Sequence, residues 1–145
     1  MKLLIDADGC PVVDLCLAQA KARGLEVMLF CDTSHILNRE GARAIVVEKG
    51  ADSADFALVN HVAAGDIVIT QDYGLAAMCL SRQGIPIRQD GLIYDAFNID
   101  ALLMARHTAR KIRRGGGRLK GPKKRTDEED AAFLRTLTAV LDQRL

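Results

Sequence analysis

The chain has 145 residues, the size of one domain with one buried core. Hydrophobic residues make up 49% and charged residues 27%, which excludes wholesale disorder, while 4% aromatics and no tryptophan weigh against a sheet that stacks bases on exposed rings. No apolar run reaches the roughly 18 residues that span a bilayer, and MKLLIDADGC meets an acid too early for a signal-peptide core, so a cytoplasmic protein is expected.

Leu3-Leu4-Ile5 is an apolar run closed by Asp6 and predicts a buried strand. Pro11 suits the first turn of a helix in which Val12, Leu15, Cys16 and Ala20 recur at helical spacing up to Arg23, with Gly24 as its stop. Leu25 to Phe30 predicts a second strand, Cys31 to Gly41 a loop, and Ala44 to Val47 a third strand. A helix follows from about Asp52 to Ala63, closed by Gly65. Ile67-Val68-Ile69-Thr70 is the clearest strand of the chain. A helix over Leu75 to Arg82 and a short strand over Ile85 to Ile87 complete the alternation.

Short continuous apolar runs separated by helices predict a single α/β domain with a mostly parallel central sheet flanked by helices. Right-handed crossovers bring every strand's C-terminal end to one edge, where sites in open α/β sheets form. Asp6, Asp8, Asp32 and Asp72 follow strands and are expected on that rim.

Residues 98–145 read as a helical extension of a core at 1–97. Asn98 is placed to cap a helix with Ile99, Leu102 and Leu103 on its apolar face, running into Arg106, Arg110, Lys111, Arg113 and Arg114. A cationic, Gly-rich loop spans 113–125, and Thr126-Asp-Glu-Glu129 is a capping-box sequence. Phe133, Leu134, Leu137, Val140 and Leu141 then predict a final helix that docks on the domain.

Charge is unevenly placed. Residues 1–105 carry 8 basic and 14 acidic residues, 106–125 carry 10 basic and none acidic, and 126–145 carry 2 basic and 5 acidic. Such a division points to a site that gathers cations and a separate surface that attracts polyanions. Cys10, Cys16, Cys31 and Cys79 form no C-x-x-C pair, and His35, His61 and His107 lack the spacing of a zinc helix, so no zinc site is expected.

The acids fall into three clusters: Asp6-Ala-Asp8, Asp52-x-x-Asp55 and Thr70-Gln-Asp72. Asp8, Asp52 and Asp72 each stand where a helix cap is useful, but Asp6 ends a strand and has no helix start to cap. Two carboxylates about 4 Å apart repel by about 4 kcal/mol at an effective dielectric of 20. Acids that converge must therefore take up protons or hold a cation. Mg²⁺ or Mn²⁺ suits oxygen donors and can activate water for phosphoryl chemistry.

The segments LLIDADGCPV, GADSADFALVNHVAAGDIVITQDYGLAAMCL and RRGGGRLKGPKKRTDEED resemble the YaiI/YqxD family of bacterial proteins. That family is grouped with PIN-like domains, a superfamily with many metal-dependent ribonucleases. The resemblance implies one PIN-like domain over 1–145. It implies Asp6, Asp8, Asp55, Asp72 and Thr70 as catalytic residues, the four acids as ligands of Mg²⁺ or Mn²⁺, and RNA ahead of single-stranded DNA as substrate. Gly9 stands where the family more often has alanine, a change that spares the carboxylates.

LLIDADGCPV also resembles the D-x-D-G-T opening of haloacid-dehalogenase-type phosphatases, with Asp6 as nucleophile and Asp8 as acid/base. Cys10 in place of threonine, and Asp66 ahead of its strand, depart from that pattern.

Arg110, Arg113, Arg114, Arg118, Lys120, Lys123, Lys124 and Arg125 are candidate nucleic-acid contacts, because cations without interspersed acids neutralise phosphates. Charge runs also occur as solvated loops, and helix-end cations complement the dipole. No base-reading motif accompanies them, so sequence specificity is not expected. A nucleic-acid-binding protein without catalysis is the competing reading.

Overall fold

Among the described residues ten elements follow one another, strands and helices interleaved over most of the chain. They are β1 (Lys2–Asp6), α1 (Val13–Arg23), β2 (Glu26–Asp32), β3 (Arg43–Val47), α2 (Ser53–His61), β4 (Ile67–Ile69), α3 (Tyr73–Ser81), β5 (Ile85–Ile87), α4 (Ile99–Arg114) and α5 (Asp127–Arg144). The structure is a computed structural model that describes residues 1–33, 37–48, 53–116 and 124–144.

The five strands form one sheet in the order β3-β2-β1-β4-β5, with every neighbouring pair parallel. The chain builds outward from β1 to β3, then returns across β1 to lay down β4 and β5. The direction of winding reverses between β1 and β4, which makes that boundary the switch point of the sheet. Leu3, Leu4 and Ile5 register with Ile67, Val68 and Ile69. Asp6 and Thr70 come one step beyond, side by side at the C-terminal edge.

Side chains alternate between the two faces of a strand. Leu3, Ile5, Leu29, Ile67 and Ile69 pack with Val13, Cys16 and Ala20 of α1 and with Phe133, Leu137 and Leu141 of α5. Leu4, Met28, Phe30 and Val68 pack on the other face with Leu58 of α2 and with Leu75 and Cys79 of α3. Asp6 continues the side of Leu4, and Thr70 that of Val68, so both belong to the α2/α3 face. Because α5 supplies three fully buried side chains to the main cluster, it belongs to the core rather than to an appendage.

Some helix ends follow the sequence and others depart from it. Gly24 ends α1 in a left-handed conformation (φ 66°), and Thr126 and Glu129 form the reciprocal capping box of α5. Pro11, however, lies in the turn before α1, whose first helical bond runs from the Cys16 N–H to the Val12 carbonyl. Asn98 holds the N-cap position of α4, but its side chain turns back, accepting from Asp95 N and donating to the Ile93 carbonyl. The Asp95 carboxylate instead organises that turn through the N–H groups of Phe97 and Asn98.

The segment after β5 doubles back antiparallel, with a bridge between Ile87 and Ile93. Its turn meets α5 closely. Gly91 has φ +94°, and a Cβ there would lie 2.7 Å from the Ala132 carbonyl oxygen. Only glycine satisfies both the left-handed backbone and that approach. Thr136 donates to the Gly91 carbonyl at 2.7 Å, and Arg125 donates to the Gln89 carbonyl at 2.8 Å. No described helix is long and apolar enough to cross a membrane.

Candidate functional site

Thr70 is fully buried and joins the two strands of the switch point. Its hydroxyl donates to Asp6 Oδ2 at 3.0 Å and accepts from the Asp72 N–H at 3.0 Å. Asp72 in turn caps α3, its Oδ1 accepting from the Leu75 N–H at 3.1 Å. The cap and the site are therefore the same residue: Asp72 is fixed by the helix start that the T-x-D spacing creates. The Tyr94 hydroxyl donates to the Thr70 carbonyl at 3.1 Å and braces the bridge from below.

Burial pushes the Asp6 carboxyl above its ordinary value; the Thr70 hydroxyl opposes this, and the charges of Asp72 and Asp8 add to it. Asp8 is exposed in the turn after β1 and does not cap α1, whose N-cap, Val12, has no side-chain bond. Asp55 lies in the first turn of α2. It and Asp6 both act on the Cys79 thiol, which burial chiefly pushes up to about 12. The structure thus brings Asp6, Thr70 and Asp72 together with Asp8 beside them, and places Asp55 at the start of α2 on the same face of the sheet. Asp32 ends β2 on the same rim. Asp52 lies outside the described residues.

Asp66 sits at the opposite edge. Its carboxylate bonds the Lys2 ammonium, the Lys2 N–H and the Ala63 N–H. Burial alone raises this carboxyl, but those donors bring it below its ordinary value. An acid committed there cannot serve the rim as the phosphatase pattern requires.

Among the described residues, no three His, Cys, Asp or Glu side chains stand close enough to hold an ion between them. Mg²⁺ does not need such a cage, because it binds through one or two carboxylates and completes its shell with water and substrate phosphate. Asp6 and Asp72 fit that requirement as hard oxygen donors, each already held by a hydrogen bond. The Cys10 thiol, which burial chiefly pushes up to about 11, stays protonated at neutral pH and is no competitor for the ion.

Several residues of the site have no signature in the sequence. Gln89 is buried, bonds the Gln71 amide and contacts the Cys10 side chain. Tyr94 reaches the site only because the chain doubles back after β5. Arg106, one of many cations in its segment, places Nη1 3.6 Å from Asp72 Oδ1.

Of the basic candidates, Arg125 is already engaged. Its Nε donates to Asp130 at 2.7 Å while Nη2 holds the Gln89 carbonyl. It clamps the start of α5 to the β5 loop. Arg110, Arg113 and Arg114 belong to α4, Lys124 is exposed, and Arg118, Lys120 and Lys123 lie outside the described residues.

Residues 4–143 match the family described as "Uncharacterized BCR, YaiI/YqxD family". The chain belongs to the YaiI/YqxD family. Relatives span the whole chain. A UPF0178 protein of Exiguobacterium sibiricum is 54% identical over 144 residues, covering 99% of both chains. Those of Ruminiclostridium cellulolyticum and Alkaliphilus oremlandii are 49% and 46% identical, covering 94% and 100% of this chain and 90% and 94% of their own. No solved structure matches. The YaiI/YqxD match includes Asp6, Thr70 and Asp72.

Proposed function

We propose that this protein is a PIN-like nuclease of the cytoplasm that hydrolyses phosphodiester bonds in RNA, ahead of single-stranded DNA, with Mg²⁺ or Mn²⁺. The observation that carries the reading is the Asp6–Thr70–Asp72 relay at the switch point between β1 and β4. Ligand sites of open α/β sheets form at such points. The raised Asp6 carboxyl supports this reading, because burial and the charges of Asp72 and Asp8 make negative charge there costly, which a bound cation would offset.

Asp6, Asp55 and Asp72 would hold the ion, directly or through its water shell, with Asp8 as a further oxygen donor. When bound, the cation supplies the charge that activates water and stabilises the departing oxyanion. The Thr70 hydroxyl keeps Asp6 in one orientation, and the Leu75 N–H does the same for Asp72. Both carboxylates are thus set before substrate arrives, which reduces reorganisation on binding. Hydrolysis adds water across a P–O bond, and the proton lost by the water is returned to the leaving oxygen. Arg110, Arg113, Arg114 and Lys124, with Arg118, Lys120 and Lys123, would neutralise backbone phosphates.

The test is cleavage of end-labelled single-stranded RNA and DNA with Mg²⁺, Mn²⁺ or EDTA. Asp72→Asn is the apt control, because asparagine still caps α3 while the charge is lost. Metal-dependent cleavage that disappears in Asp6→Asn and Asp72→Asn supports the reading. Cleavage indifferent to both substitutions overturns it. Binding without cleavage would favour the non-catalytic reading, which the lack of a three-ligand cluster among the described residues also favours.

A further inference from the structure

Helix α4 returns along α3. Ile99 of α4 packs with Ala76 and Tyr94, and Leu102 and Leu103 join the same cluster as Ala77 and Leu80. Seven residues after Ile99, Arg106 reaches Asp72, the N-cap of α3. Arg106 thus stands beside the acidic rim. The rest of α4, up to Arg114, continues about 12 Å past that point at 1.5 Å per residue.

The contact between Arg106 and Asp72 is loose. At 3.6 Å it lies outside hydrogen-bond range, and Asp72 Oδ1 already accepts from Leu75. The Arg106 side chain is 42% exposed. Arg88 and Arg125, by contrast, each hold a carboxylate at 2.7 or 2.8 Å. A glycine keeps the slot open: a Cβ at Gly74 would lie 3.3 Å from Asp72 Oδ1 and 3.7 Å from Arg106 Nη1. The guanidinium thus sits beside the site, paired loosely with Asp72 and hydrogen-bonded to no described residue.

We infer, building on the nucleic-acid reading above, that Arg106 grips the backbone phosphate next to the acidic rim and that α4 guides the strand to Asp6 and Asp72. A guanidinium binds two phosphate oxygens at once, which fixes the strand's orientation as well as its position. Weak attraction to Asp72 holds the group at the rim without competing with that bidentate grip. The cationic turns beyond Arg106 then extend the track outward.

The experiment measures anisotropy of a labelled single-stranded oligoribonucleotide in EDTA over a salt series, for the full-length parent, Arg106→Ala and Arg106→Lys, with melting curves for each. Loss of one bidentate phosphate contact should weaken Arg106→Ala binding about tenfold. It should also flatten the log–log salt slope by about 0.7. Arg106→Lys should keep the slope and recover only part of the affinity, because it restores charge without the fork. Melting temperature should not move, since the pair is exposed and long. An Arg106→Ala protein with the parent's slope and affinity overturns the assignment, as does a loss of affinity matched by a lowered melting temperature, or a parent that does not bind. A parent that binds through Arg106 and never cleaves sinks the nuclease reading alone. A parent that cleaves while Arg106→Ala keeps its slope sinks this assignment alone.

Discussion

Tyr94 donates its hydroxyl to the Thr70 carbonyl at 3.1 Å, so the segment that doubles back after β5 supports the residue linking Asp6 to Asp72. Tyr94→Phe should cost about 1 kcal/mol in denaturant unfolding, the usual net worth of such a bond. Thr70→Val, which deprives both Asp6 and the Asp72 N–H of a partner, should cost more. It should also lower any metal-dependent cleavage by more than Tyr94→Phe does. Equal effects of the two variants would mean that the hydroxyl bridge does not organise the site.

Mg²⁺ or Mn²⁺ should raise the melting temperature of the parent. An ion at about 100 times its dissociation constant adds about 2.7 kcal/mol. Asp6→Asn and Asp72→Asn should each remove most of that gain. Without ion, Asp6→Asn should be neutral or stabilising, since asparagine still accepts from Thr70 and repulsion from Asp72 and Asp8 disappears. Scanning calorimetry with and without ion checks both halves.

Asp66 gives a pH signature of its own. Its carboxyl is held below the ordinary 3.8 in the folded chain, so its contribution is present above that value and is lost as pH falls through the folded one. Asp66→Asn should therefore destabilise at neutral pH and converge on the parent in strong acid. Urea unfolding at pH 7 and near pH 3 measures the gap, and a gap that widens in acid would contradict the assignment.

Lys123→Ala with Lys124→Ala should weaken single-stranded nucleic-acid binding, flatten its salt slope and, since Lys124 is exposed, leave stability nearly unchanged. Arg125→Ala should behave differently. It removes an ion pair with Asp130 and a bond to the Gln89 carbonyl, so its first effect is a loss of about 1–3 kcal/mol in stability. Melting curves separate the two classes.

The parallel sheet is legible because Leu3–Ile5 and Ile67–Ile69 are continuous apolar runs that only a strand covered on both faces requires. Asp6, Thr70 and Asp72 are legible because strand ends converge on one rim, and the T-x-D spacing serves cap and site at once. The place of α5 is not legible: its apolar stripe says that it docks, but only the arrangement of α1 leaves the complementary area free. Arg125 and Arg106 are indistinguishable from their cationic neighbours in sequence. Their roles come from where α4 and α5 happen to place them, 3.6 Å from Asp72 in one case and 2.7 Å from Asp130 in the other.

The burial of α5 also bears on how the chain is made. Phe133, Leu137 and Leu141, near the very end of the sequence, cover the face of the sheet that includes Leu3 and Ile5. During synthesis that face stays uncovered until α5 has emerged, although the strands beneath it are complete by Ile87. An open parallel sheet of this kind is prone to association with other chains. The arrival of α5 is therefore part of the folding problem, and a chain cut a few residues before Phe133 would leave a sticky sheet rather than a shortened protein.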